Sequence, residues 1–161
     1  MAMVPPSPGQ MYEFLTSTTF LAAFFSWFVA QLLKLIIEAL RSRSAVSRDV
    51  AIGLVWRTGG MPSSHSALVT SIATAIAFEN GVANPLFTLA FFYGLLVIRD
   101  ALGVRRSAGM QAQALNRLGT RLSEEHGVEF TPVEEVHGHT PSEVTVGILL
   151  GFFIATAFSL L

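Results

Sequence analysis

Apolar and polar residues alternate along the chain in long blocks rather than position by position. The first apolar block covers 14–40, interrupted by Gln31, Lys34 and Glu38, and is long enough to cross a hydrocarbon core, which takes about 20 helical residues. The second begins at Pro62, runs through 67–78 and stops at Glu79-Asn80-Gly81, with proline and Asn-Gly as its start and stop signals. It is rich in Ala, Ser and Thr, the composition of a span packed on protein rather than lipid. The third, 85–98, is strongly apolar and ends on Arg99-Asp100, with Asp100-Ala-Leu-Gly103 read as a turn-like exit. The fourth, 144–161, carries no charge and contains Gly147-Ile-Leu-Leu-Gly151, a small-xxx-small packing face. Between the third and fourth, 107–125 places Met110, Ala114, Leu115, Leu118 and Leu122 at helical spacing with Arg117 and Arg121 on another face, predicting an amphipathic interfacial helix. An acidic loop over 126–137 follows and reads as solvated. The pattern predicts an all-α, polytopic transmembrane helical bundle forming one domain. It has about four spans (14–40, 62–79, 85–100 and 144–161), connections at 41–61 and 101–143, and the interfacial helix.

Composition agrees: 52% of residues are hydrophobic and 13% charged, about half the charge usual in a soluble domain. A net charge of −1 creates no field that would gather nucleic acid, so no nucleic-acid partner is expected. There is no cysteine, hence no disulfide framework or thiolate metal site. The first block is too long for a signal-peptide core and reads as a retained span. Location of the positive charges matters more than their sum. Arg41, Arg43, Arg48 and Arg57 lie between the first two spans, and Arg99, Arg105, Arg106, Arg117 and Arg121 follow the third. The positive-inside rule therefore sets both connections in the cytoplasm and both termini outside.

The residues with chemical potential gather in or beside those two connections. In Thr58-Gly-Gly-Met-Pro-Ser-Ser-His-Ser66, Pro62 starts a helix whose first turn holds Ser63, Ser64 and His65, where free amides and the helix dipole favour an anion. His65 is placed to protonate a departing alkoxide; the plainer reading is a Pro-Ser cap with a packing histidine. In Gly138-His-Thr-Pro-Ser-Glu-Val144, Glu143 can accept from one ring nitrogen of His139 and leave the other free to attack phosphorus; the plainer reading is a surface histidine and a helix-start charge. His137 and His139 lack a convincing third ligand, so no metal is expected. Phosphoryl transfer needs cations, and Lys34, Arg41, Arg105 and Arg106 are the candidates. Lys34 can instead pair with Glu38 or snorkel, and the arginines can anchor to headgroups.

These segments resemble the superfamily of type 2 phosphatidic acid phosphatases and vanadium haloperoxidases, marked by Lys-x6-Arg-Pro, Pro-Ser-Gly-His and Ser-Arg-x5-His-x3-Asp. Lys34-Leu-Ile-Ile-Glu-Ala-Leu-Arg41 matches the first element with Ser42 in place of proline, and Pro62-Ser-Ser-His65 the second with Ser64 in place of glycine. His139-Thr-Pro-Ser-Glu143 matches the end of the third with Glu143 for aspartate, while Pro132 and Val133 stand where Ser-Arg is usual. Together with the run 100–116, they are similar to the divergent bacterial and plastid branch over essentially the whole chain.

The resemblance implies metal- and cofactor-independent hydrolysis through a phosphohistidine, with His139 as nucleophile, Glu143 orienting it and His65 as acid. Lys34, Arg41, Ser63 and Ser64 would hold the phosphate, and Arg105 or Arg106 would replace the missing family arginine. The expected substrate is a membrane lipid carrying a phosphomonoester or diphosphate, with phosphatidylglycerophosphate placed ahead of phosphatidate and isoprenyl diphosphate. The expected location is the plasma (inner) membrane of a bacterium, with the site facing the cytoplasm. The alternatives are a binding or transport protein keeping the same pocket without turnover, or a structural partner. Homo-oligomer formation and any site role for Asp100 or Asn116 are left open.

Overall fold

The computed structural model describes residues 7–42, 60–135 and 138–161; the side chains of Arg41 and Ser42 fall outside the description. Every regular element in the described residues is helical: α1 Pro8–Thr16, α2 Thr18–Ser42, α3 Ser64–Asn80, α4 Pro85–Arg99, a π-helical turn Asp100–Val104, α5 Arg105–His126 and α6 Pro141–Leu160. Three stretches, Thr18–Leu40, Pro85–His126 and Pro141–Leu160, are long and apolar enough to cross a membrane. Helix α3 has 17 residues, about 25 Å at 1.5 Å per residue, so it nearly matches the core thickness.

Helix α3 lies at the centre, packed against α2, α4 and α6, and α2 also meets α6. What allows this is small side chains. Ala22, Ala75 and Ala155 form a fully buried cluster joined by Phe158, and Ser26, Ser66 and Ser71 are also completely enclosed. Large apolar residues such as Phe24, Phe28, Phe92 and Phe153 point outward instead. That inside-out arrangement suits helices whose outer solvent is hydrocarbon and whose contacts depend on close approach.

The closest approach is between α3 and α6. A Cβ at Gly147 would overlap the carbonyl oxygen of Ser63, and one at Gly151 would overlap that of Ala67. The Gly147–Gly151 face therefore rides directly on the α3 backbone. At the opposite end, the Glu79 carboxylate accepts from Thr19 N at 3.2 Å and Thr19 Oγ1 at 3.0 Å, adding a negative charge at the start of α2 where the helix dipole favours it.

The structure differs from the sequence pattern in two places. The first apolar block is broken at Ser17, whose extended backbone and hydroxyl both turn back to Phe14 O, so α1 is separate from the spanning α2. At the end of α4, Asp100-Ala-Leu-Gly103 does not leave the helix but widens into a π turn that continues into α5. The apolar positions Met110, Leu115, Leu118 and Leu122 of α5 are exposed, while Gly109, Ala112 and Gly119 are buried.

The glycine face has a direct test. Gly151→Ala should destabilise the protein by roughly 1–3 kcal/mol through overpacking, whereas Gly103→Ala, where a Cβ would meet nothing within 4 Å, should be nearly neutral. Reversible unfolding in detergent measures both, and equal effects would contradict the packing described.

Candidate active site

The first turns of α3 and α6 meet at one end of the bundle, joined by a backbone hydrogen bond from Ser63 N to Glu143 O of 3.0 Å. Each start is fixed by its own cap. Ser63 caps α3, its hydroxyl accepting from Ser66 N at 3.3 Å and from Ser66 Oγ at 2.9 Å. Thr140 caps α6 in a reciprocal capping box: its hydroxyl accepts from Glu143 N, and Glu143 Oε2 accepts from Thr140 N at 3.1 Å. The sequence signal was Thr140-Pro-Ser-Glu143, a threonine three residues before a glutamate.

The same Glu143 Oε2 lies 3.1 Å from His139 Nδ1. A carboxylate oxygen accepts, so Nδ1 carries the proton and Nε2 keeps its lone pair. His139 is buried, with 2% of its surface exposed, and its backbone N–H donates to Ala101 O of the π turn at 3.2 Å. Burial pushes its pKa down; the Glu143 hydrogen bond opposes this, while the positive charges of Lys34 and Arg105 add to it. The neutral, nucleophilic form is thus favoured.

His139 and His65 line one small cavity with Val97, Asp100, Ala101 and Arg105, about 20 Å³ in volume, room for one water. The cavity borders a groove between α3 and α4 of about 470 Å³, polar at its His65, Asp100 and Arg105 end and walled beyond by residues such as Leu68, Ile72, Leu96 and Val97. A second groove of about 430 Å³, lined by Ala73, Phe87, Phe91 and Phe152 among others, touches neither histidine.

The remaining candidates divide. Lys34 is 5% exposed and its Nζ reaches Ser64 Oγ at 3.4 Å, so it turns toward the start of α3 rather than to Glu38. The amides of Ser64 and His65 have no acceptor among the described residues, as expected in a helical first turn. Ser63 is committed within the protein through both its amide and its hydroxyl. Of the arginine pair, Arg105 lines the cavity and Arg106 does not; the Arg106 backbone instead packs where a Cβ on Gly138 would fall. The Arg41 side chain lies outside the described residues, as does His137.

Asp100 lines the cavity and was not among the expected site residues; its one signal was a carboxylate at the end of a span. Asn116 stands apart, clamping the loop. Its Nδ2 donates to Val133 O and Glu135 Oε1, both at 2.9 Å, and its Oδ1 accepts from Val133 N at 2.8 Å. No three His, Asp or Glu side chains among the described residues come together in a way that would hold a metal ion.

Within that geometry a buried histidine, held by a carboxylate, shares a cavity with a second histidine, and comparison with known sequences gives the family. Residues 15–154 match the Divergent PAP2 family. The chain is 35% identical over 153 residues to the protein of Bacillus subtilis (strain 168) described as "Uncharacterized membrane protein YuiD", covering 88% of this chain and 94% of that protein. The chain belongs to the Divergent PAP2 family and is a membrane protein. No solved structure matches it.

The His139 environment predicts a definite titration. As pH falls, His139 should stay neutral below the range of a free imidazole. Arg105→Ala should raise its pKa by removing a nearby positive charge, and Glu143→Ala should lower it by removing the hydrogen bond that favours the cation. Nitrogen-15 NMR of labelled histidine reads all three, and opposite signs in the variants would refute the electrostatics.

Proposed function

We propose that the protein is a membrane-embedded lipid-phosphate phosphatase working through a phosphohistidine. The observation that carries this reading is the His139–Glu143 hydrogen bond, with its histidine facing the same cavity as His65. In the proposed reaction the Nε2 lone pair of His139 forms a bond to phosphorus as the bond from phosphorus to the alkoxide oxygen breaks. The departing oxygen takes a proton from the cationic form of His65. Water then attacks phosphorus and returns a proton to His65, the bond to Nε2 breaks, and inorganic phosphate leaves. Lys34, the first-turn amides of α3 and Arg105 hold the phosphoryl oxygens, whose spread charge such donors stabilise.

The groove supports a lipid substrate. A phosphate at the His65–Arg105 end would leave an attached apolar chain beside Leu68, Ile72 and Leu96, a mainly apolar wall that suits a lipid better than a soluble sugar or nucleotide phosphate. Phosphatidylglycerophosphate is tested first, then phosphatidate and isoprenyl diphosphate. The proposed topology has four spans, cytoplasmic connections and a cytoplasmic site, supported by the placement of the arginines after spans one and three.

The test is phosphate release in detergent or lipid discs with EDTA present. His139→Ala should abolish turnover, and His65→Ala should lower kcat roughly 10²- to 10⁴-fold on a lipid alkyl phosphate. Because a nitrophenolate leaves without protonation, the burst of nitrophenolate from p-nitrophenyl phosphate, which reports the first step alone, should be far less impaired in His65→Ala. Full activity of His139→Ala, or a demand for added magnesium, would overturn the mechanism; no turnover by the intact protein would favour a lipid-phosphate binding protein with the same pocket. A reporter at the C-terminus should be found outside the cytoplasm, and a cytoplasmic signal would reverse the topology.

A further inference from the structure

Asp100 lines the cavity between the histidines, yet no step above uses it. A carboxylate beside a phosphate site is repulsive unless a cation answers it, and here one does: Arg105 Nε donates to Asp100 Oδ2 at 3.0 Å. The pair is five residues apart. In an α-helix such residues lie about 140° apart around the axis and face different sides. Residues 100–104 form a π turn instead, in which Arg105 N donates to Asp100 O, and an i→i+5 bond stacks residue 105 over residue 100. The widened turn is what lets the two side chains meet.

The turn is anchored by the segment carrying the candidate nucleophile. His139 N donates to Ala101 O, and Gly138 packs against the Arg106 backbone where no Cβ would fit. The geometry of the pair is therefore tied to that of His139. Stability is not a sufficient reason for the pair, since its side chains are 37% and 45% exposed and ion pairs so exposed contribute little. A guanidinium has five N–H donors in a rigid fork, and the contact to Asp100 occupies only the one on Nε. No acceptor among the described residues meets the terminal donors, which leaves them for a ligand in the cavity.

We propose that Asp100 is a positioning residue, which holds Arg105 through the π turn so that the terminal guanidinium faces the phosphate site between His65 and His139. The inference rests on the phosphatase reading for what the site holds, but binding alone tests it. Full-length protein in lipid discs with EDTA is titrated calorimetrically with inorganic phosphate, as wild type, Asp100→Ala, Asp100→Asn, Arg105→Ala and the Asp100→Ala/Arg105→Ala double variant, with melting curves to confirm folding.

Asp100→Ala should weaken phosphate binding roughly 10- to 100-fold, the scale on which losing the outer hydrogen-bond partner of a metal-holding side chain weakens metal binding. Asp100→Asn, whose amide oxygen still accepts from Nε, should recover part of that and covers the case in which Asp100→Ala does not fold. Arg105→Ala should weaken binding at least as much, and adding Asp100→Ala to it should cost nothing further. Unchanged or tighter binding in Asp100→Ala and Asp100→Asn would mean that Asp100 merely repels the anion, and would overturn the proposal. So would a full Asp100→Ala loss in the Arg105→Ala background. Wild-type protein that binds no phosphate overturns both this inference and the phosphatase reading. Binding with the predicted variant pattern but no turnover of any lipid phosphate sinks only the latter.

Discussion

The contact on which the rest of the molecule depends is the backbone-to-backbone approach of α6 onto α3. In hydrocarbon, helices gain nothing from burying apolar side chains against one another, so association rests on close packing and hydrogen bonds. Gly147 and Gly151 remove the side chains that would hold α6 away from Ser63 and Ala67. Only at that distance can Ser63 N donate to Glu143 O. This bond sets the axial register of the two helices, and the register brings a histidine from each start to one cavity. Slide or lift α6 by a methyl group and the capped ends no longer coincide. The apolar packing and the polar site are thus one structural problem.

Glu143 shows how few polar groups the arrangement uses. Its Oε2 accepts from Thr140 N and lies within hydrogen-bond distance of His139 Nδ1, closing the α6 capping box and fixing the histidine tautomer with a single oxygen. The reach required is from the third helical position back to the cap, which suits a glutamate better than the shorter aspartate. The exchange of Asp for Glu relative to the wider family pattern therefore has a local reason in the Thr140-Pro-Ser-Glu143 cap. Lys34 makes a comparable reach across the bundle from α2 to Ser64. Its one hydrogen-bond partner among the described residues is the neutral Ser64, with the Glu143 charge nearby; a cation so buried is expensive, which fits a site built to receive an anion.

The apolar blocks, the start and stop of the second and the two histidine segments could be read from the chain because each is a local pattern: a long apolar block, Pro62 before a helix, Asn-Gly after one, His139 four residues from Glu143. The glycine face was also legible, although which helix it met was not. What could not be read were features that exist only once distant backbones meet. Ser63 looked like a free phosphate ligand until Glu143 O and Ser66 occupied its amide and hydroxyl. Arg105 and Arg106 were equivalent on paper; the turn that separates them carries no local signature, and five-residue spacing falls outside the three- and four-residue rules by which helical partners are found. For the same reason Asp100 went unassigned.

The loop before His139 bears on why the π turn is a suitable source of a guanidinium. In the pattern that the chain resembles, a Ser-Arg pair lies seven and six residues ahead of the histidine. Here those positions are Pro132 and Val133, and the loop is fastened elsewhere. Asn116 holds Val133 by both its amide and its carbonyl, while the Phe130 ring fills the space that the missing side chain of Gly119 leaves on α5. A residue at 133 is thereby held against α5, and it is not among those lining the cavity of the two histidines. On the proposed reading the phosphoryl oxygens still need a guanidinium, and the nearest element bound to the His139 backbone is the α4–α5 junction, through Ala101 O. Moving the cation from a loop to a helix junction gives it a rigid base, but a regular helix would point Arg105 away from Asp100. The π turn resolves that conflict by bringing the Arg105 and Asp100 side chains together.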